Sequence, residues 1–96
     1  MDSVTISHDA RGDRGEYLAR LAGSTATGRL TWVGRGGARV ADHTLVPPEI
    51  GGRGVAARLV EAMVADARAQ GFTIVPQCSY VAAAFARHPE WADLLA

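Results

Sequence analysis

Lysine is absent from this chain, and Cys78 is its only cysteine. The lack of lysine excludes a Walker lysine, a Schiff-base lysine and any lysine acting as a base within this chain. A single cysteine cannot form an intramolecular disulfide, which fits a reducing compartment. No uninterrupted apolar run approaches the ~20 residues that a membrane-spanning helix needs, so we expect no membrane partner.

The charges of the chain are balanced, because ten arginines stand against ten acidic residues. No global field would draw the chain to DNA or RNA, and we expect no nucleic-acid partner. The length of 96 residues suits one small domain, residues 1–96. The N-terminus has acids and no apolar signal core, which predicts a cytoplasmic location. The histidines and Cys78 lack zinc-ligand spacing, so we expect no metal.

The first half of the chain has the pattern of an antiparallel sheet, with apolar residues that alternate between glycine-rich turns. A strand begins at Thr5–Ser7, and the polar segment His8–Gly15 is predicted to be a loop. Three longer strands are predicted next: Glu16–Leu21, Thr27–Val33 and Ala38–Val46. Strict alternation in the last strand places His43 and Asp42 on opposite faces, unless a β-bulge re-aims Asp42.

The second half of the chain is predicted to alternate helix and strand. Pro47 and Pro48 stop the preceding strand, since neither can donate to a ladder. Apolar residues at helical spacing predict a helix from Arg53 to Gln70, which Gly71 ends. The elements after it are predicted to be a buried strand, Phe72–Pro76, a helix, Tyr80–Arg87, capped by Ser79, and a last turn, Glu90–Leu95. This order predicts an α+β fold with a mixed sheet and helices in layers.

The segment that joins the sheet to the long helix is rich in glycine: Gly51-Gly52-Arg53-Gly54-Val55-Ala56. Glycines leave the backbone bare there, so successive N–H groups and the positive end of the helix dipole can face a phosphate. An ordinary turn is the alternative. The pattern G-x-G-x-x-A also occurs in dinucleotide-binding folds, which need a strand running into the glycines and an acid about 20 residues later. Pro47 and Pro48 intervene and Ile74–Gln77 offers no acid, which argues against that fold.

The same residues resemble the GNAT superfamily of acetyl-CoA-dependent N-acetyltransferases, whose pyrophosphate loop, R/Q-x-x-G-x-G/A, begins a long helix after a long strand. Here Gly51 replaces the first Arg or Gln, so Arg53 or Arg58 would have to supply the side-chain anchor. The order of three motifs is similar to that of the short YjdJ-type branch. These motifs are His43-Thr44-Leu45-Val46-Pro47-Pro48, the glycine segment, and Val75–Val81 with Arg87–Leu94.

This resemblance implies a GNAT-like fold, in which an antiparallel meander joins a splayed pair of parallel strands and the long helix crosses one face. Acetyl-CoA would lie in the splay, with its pantetheine arm against the backbone of the first strand's end and its pyrophosphate at the glycine segment. Arg58 can reach a phosphate or pair with Glu61 on the helix surface. The implied cofactor-binding residues are Leu45, Val46, Gly51, Gly52, Arg53, Gly54, Val55, Ala56 and Arg58.

Acetyl transfer to an amine needs a neutral amine, donors for the oxyanion and a proton for the departing thiolate. The candidate catalytic residues are His43, Cys78 and Tyr80. His43 suits a base or a proton relay, or it is a strand histidine bonded to a neighbour. Cys78 would be a proton donor, a transiently acetylated nucleophile or a small core residue. Tyr80 would protonate the thiolate or bond to the backbone.

The sequence thus predicts an acetyl-CoA-binding N-acetyltransferase that transfers acetyl directly to an amine, as a monomer or a weak homodimer. The acceptor would be a protein, a peptide or a small polyamine, and the scarcity of helical pattern before the glycine segment predicts an open acceptor cleft. The alternative is a CoA- or acyl-CoA-binding module with little or no catalytic activity, since Gly51 replaces an anchor and no base is unambiguous. A purely structural interaction domain is a third reading.

Overall fold

The computed structural model describes residues 3–96, which contain one five-stranded sheet. Its strands are β1 (Val4–Arg11), β2 (Arg14–Leu21), β3 (Thr27–Arg35), β4 (Ala38–Leu45) and β5 (Thr73–Pro76), and they lie in chain order. Strands β1 to β4 are antiparallel, whereas β4 and β5 are parallel. The predicted α+β class is confirmed. Residues 1 and 2 lie outside the described part of the chain, and the single domain 1–96 stays a prediction.

Two α-helices follow the meander in the described residues: α1 (Val55–Gln70) and α2 (Ser79–Arg87). Helix α1 begins at Val55 and not at Arg53, because Gly54 has a left-handed backbone, φ 74°, that cannot continue a helix. The predicted stop at Gly71 is confirmed. Cys78, not Ser79, occupies the position before α2. Short 3₁₀ turns cover Pro48–Ile50 and Pro89–Leu94.

The N-terminal region is more regular than the sequence predicts. The prediction of a loop at His8–Gly15 is wrong, because β1 continues to Arg11 and β2 begins at Arg14 after a two-residue turn. Strand β1 is an edge strand whose outer residues are exposed, so their polarity hides the alternation by which a strand is recognised.

The hydrophobic core lies between one face of the sheet and α1. The apolar stripe of α1 packs against one face of β2 and β3, and the buried side chains there include Tyr17, Ala19, Leu30, Trp32, Leu59 and Met63. Gly28 lets the helix approach closely, since a Cβ there would lie 3.0 Å from Val55 Cγ1. In the last turn, where Leu94 and Leu95 were both expected to face the core, Leu94 is buried and Leu95 is 43% exposed.

A β-bulge interrupts the pairing of β3 with β4. Trp32 pairs with Ala41 and the preceding Thr31 pairs with His43, so Asp42 is an extra residue in β4. The Thr31 hydroxyl donates a hydrogen bond to Asp42 Oδ1 at 2.6 Å, which places that carboxylate on the Thr31 face together with His43. The strict alternation predicted for β4 is therefore wrong beyond Ala41, because one extra residue shifts the period by one.

Strands β4 and β5 separate at their C-terminal ends. Their pairing ends at Ala41 opposite Pro76, while β4 continues to Leu45. The Cys78 N–H donates to the Ala41 carbonyl at 2.8 Å, and the chain then turns into α2. The splayed parallel pair is thus confirmed, and it opens the sheet beside the start of α2.

Candidate active site

The splay exposes the edge of β4 between Asp42 and Leu45. In the described part of the chain, no strand pairs with β4 on its β5 side beyond Ala41. Leu45 is 50% exposed, and Val46 is partly buried against the core. Unpaired N–H and C=O groups at a strand edge can bind an extended, amide-bearing ligand.

The glycine segment reaches α1 through two left-handed residues. Gly52 and Gly54 have φ values of 73° and 74°, and a Cβ at either would meet nothing within 4 Å. The Arg58 N–H donates to the Gly54 carbonyl, and the amides before it lie at the positive end of the helix dipole without an intrahelical acceptor. The Val55 side chain is buried, so only its N–H can face a ligand.

The remaining loop residues differ in what they offer a ligand. Gly51 and Arg53 are exposed, and Ala56 is half-buried. Gly51 has an extended backbone that any residue adopts, and a Cβ there would contact the Pro48 carbonyl at an ordinary 3.4 Å. Backbone geometry therefore does not require glycine at this position.

Arg58 forms an ion pair with Glu61 on the helix surface, which is one of the two alternatives predicted for it. Its Nε lies 3.9 Å from Glu61 Oε1, and both side chains are about half exposed. Such a pair contributes little stability, so the guanidinium can turn toward a phosphate at small cost.

Cys78 and Thr44 meet inside the splay, with 3.4 Å between Cys78 Sγ and Thr44 Oγ1. Burial raises the pKa of the Cys78 thiol, but the Thr44 hydroxyl and the backbone amides of Val81 and Tyr80 outweigh it, and the pKa lies below its ordinary value. The sulfur makes no regular capping hydrogen bond, so these amides act mainly as the positive end of α2. The thiolate is therefore more populated than in an ordinary cysteine.

His43 and Tyr80 occupy different surroundings. The exposed His43 side chain lies on the Thr31 face of β4, opposite the face that carries Thr44. Tyr80, the second residue of α2, is half-buried against the core. The structure thus brings Cys78 to Thr44 and places His43 on the other side of the sheet.

Two residues of the site were not among the predicted site residues. Thr44 was named within a strand and a family motif but given no role, and its contact with Cys78 joins residues 34 positions apart. Alternation placed Asp42 on the face opposite His43 unless a bulge re-aimed it, and whether that bulge forms depends on the pairing with β3. Neither feature leaves a local signal in the sequence.

Within residues 3–96, no group of three or more His, Cys, Asp or Glu side chains could hold a metal ion. No helix in that part of the chain is long and apolar enough to cross a membrane.

A mixed sheet whose parallel pair opens beside a glycine-rich turn at a helix N-terminus defines a GNAT-like fold. The family model described as GCN5-related N-acetyl-transferase matches residues 16–94, and the chain belongs to this family. The superfamily suggested by the sequence is confirmed, whereas the YjdJ-type branch stays a prediction. No curated protein matches the chain.

Proposed function

We propose that this protein is an acetyl-CoA-dependent N-acetyltransferase that transfers acetyl directly to an amine. The observation that carries the proposal is the separation of β4 from β5 beyond Ala41, because Cys78, Thr44 and the unpaired edge of β4 meet there. Membership of the GCN5-related family supports acyl transfer in general.

The residues around the splay fit acetyl-CoA. The backbone of Leu45 and Val46 would pair with the amides of the pantetheine arm, as a strand edge pairs with a peptide. The open amides from Gly52 to Ala56 would hold the pyrophosphate at the positive end of α1. Arg58 would add a guanidinium to a phosphate, which offsets part of the anchor missing at Gly51.

The protein's own groups would then handle protons on two sides of the splay. Acetyl-CoA supplies the activated acetyl group. His43, on the exposed face, takes the proton of an amine that approaches from solvent. Cys78 and Tyr80, at the start of α2, are the donors for the departing CoA thiolate, and the Thr44 hydroxyl holds the sulfur of Cys78 in place.

Calorimetric titration with acetyl-CoA tests the proposal at its first step. Absence of binding at millimolar acetyl-CoA would remove both a transferase and a CoA-binding module. If it binds, release of the CoA thiol is followed with a panel of peptides, proteins and polyamines. Unchanged activity in both His43→Ala and Cys78→Ala would overturn the catalytic assignment and leave the fold assignment intact.

A CoA- or acyl-CoA-binding module is the second candidate function, and Gly51 favours it. A side chain would fit there, yet the loop lacks the Arg or Gln of the superfamily pattern. Binding of acetyl-CoA without thiol release to any amine would identify this module. For either function we propose a cytoplasmic monomer or weak homodimer without a metal, in line with the unpaired thiol of Cys78.

A further inference from the structure

The face of the sheet opposite α1 is open to solvent. On this face the side chains of β1 to β4 are exposed or half-buried, apart from Val40. A cleft of about 630 Å³ runs across it, and its lining includes Arg14, Glu16, Val33 and Asp42. An open cleft with charged walls is suited to a polar ligand from solvent.

Asp42 stands where this cleft meets the splay. It directly follows Ala41, the last residue of β4 that pairs with β5, and the bulge turns its carboxylate toward the cleft. Its partner is the neutral Thr31 hydroxyl, and within residues 3–96 no cation forms an ion pair with it. Asp42 therefore offers an uncompensated negative charge beside the proposed position of the acetyl group.

Arg14 offers the opposite charge at the other side of the cleft. It lies on β2 opposite Val33 and has no ion-pair partner in the described residues. Among the other charged side chains of the cleft, Glu16 pairs with Arg29 at 3.0 Å, whereas the exposed Arg11 makes only a loose pair with Asp9 at 3.8 Å. Arg11 lies opposite Arg14 in the strand register and adds to the positive charge at this end of the cleft. Arg14 pairs with Val33 and Val33 pairs with Val40, so the backbone of Asp42 lies two strand spacings across the sheet from Arg14 and about two residues further along it, roughly 11 Å away.

We propose that this cleft binds the acetyl acceptor, and that the acceptor is a short peptide with a free N-terminal amine and a free C-terminal carboxylate. The inference rests on the acetyltransferase function proposed above. Asp42 holds the amine next to the splay, Arg14 binds the carboxylate through its planar guanidinium, and the chain between them lies over Val33. A span of roughly 11 Å is the length of about three extended residues.

The chemistry of the cleft also discriminates against other amines. A polyamine has no carboxylate for Arg14 and would bring a second cation close to that guanidinium. A lysine side chain must lose a proton with an ordinary pKa near ~10.4, whereas a terminal amine has an ordinary pKa near ~8 and is partly neutral at neutral pH. The contact with Asp42 stabilises either amine as a cation, but the N-terminal amine of a peptide still gives up its proton to a base more readily than a lysine side chain does.

Binding of trialanine, followed by NMR in the absence of acetyl-CoA, tests this inference. Trialanine should shift the amide signals of β2 to β4 around the cleft. Its C-terminal amide and its N-acetylated form should each bind about fivefold more weakly, since each loses one charge-assisted contact at a partly exposed site. No shift at millimolar trialanine, or equal binding of all three peptides, would overturn the inference.

Three substitutions make the test specific. Asp42→Asn keeps an acceptor for the Thr31 hydroxyl but should abolish the preference for a free amine over an N-acetyl group. Arg14→Gln should abolish the preference for a carboxylate over an amide. Arg20→Gln, on the same face of β2 but outside the cleft, should change neither preference.

The outcome is separable from that of the proposed function. Trialanine binding with these preferences but without acetyl-CoA binding would overturn the transferase and leave the peptide cleft standing. Acetyl-CoA binding without any peptide preference would overturn the cleft alone.

Discussion

Gly54→Ala tests whether the left-handed turn before α1 binds acetyl-CoA. Gly54 has φ 74° and ψ 15°, and a Cβ there would meet nothing within 4 Å, so alanine introduces backbone strain without a clash. A residue with a side chain costs about 1–2 kcal/mol in this conformation. In a domain of this size, each kcal/mol lowers Tm by roughly 4–8 °C.

Gly36→Ala is the matched control. Gly36 also has a positive φ, 59°, with nothing within 4 Å of a Cβ, and it lies in the turn between β3 and β4, away from the splay. Both variants should lose similar stability. Only Gly54→Ala should weaken acetyl-CoA binding, by about tenfold or ~1.4 kcal/mol, because its methyl group enters the space that the pyrophosphate needs and the strain favours other loop conformations.

Thermal unfolding by circular dichroism and calorimetric titration with acetyl-CoA measure the two effects separately. Equal affinities of the unchanged protein, Gly54→Ala and Gly36→Ala would show that the glycine segment is an ordinary turn. A weaker affinity in both variants would mean that general destabilisation, and not a lost phosphate contact, lowers binding.

Three further predictions concern individual contacts. Thr44→Val should raise the pKa of Cys78 and slow its alkylation by iodoacetamide at neutral pH, because the hydroxyl that lowers this pKa is lost. Thr44→Ser keeps the hydroxyl and should keep the original dependence of the alkylation rate on pH. The same pH dependence in the unchanged protein and in Thr44→Val would contradict the contact. Tyr17→Phe loses a 2.7 Å hydrogen bond to Asp66 and should lower the free energy of unfolding, measured in urea, by about 1–2 kcal/mol. An unchanged free energy of unfolding would show that this hydrogen bond does not stabilise the fold. Burial lowers the pKa of His8 below 6.5, so the unfolded chain takes up the proton first and stability should fall as pH drops below that value. His8→Gln should reduce this dependence of the free energy of unfolding on pH, measured by urea titrations at a series of pH values. An unaltered dependence would mean that a group other than His8 causes it.

Much of the fold could be predicted because burial of one face leaves a period in the sequence. Tyr17, Ala19 and Leu21 alternate along β2, and Leu59 and Met63 are one helical turn apart on α1, so both elements were recognisable. The full length of β1 could not be predicted, since an exposed edge strand has little alternation of apolar and polar residues.

The family was predictable from motifs made of neighbouring residues. The glycine segment and the cysteine motif are continuous stretches, so their resemblance to a known family could be read directly, and the family match confirms that membership. The roles of His43, Cys78 and Tyr80 stay predictions. Their positions relative to one another depend on strand pairing, which short stretches of sequence do not specify.

The sequence by itself determined the left-handed glycine turn, the long helix after it and the family, because these follow from local backbone preferences and from residues adjacent in the chain. Only the tertiary structure decided that Asp42 shares a face with His43 and that Thr44 meets Cys78. A bulge is a mismatch between two strands, and a contact across 34 positions exists only once both strands have packed. Neither is a property of any single stretch of chain.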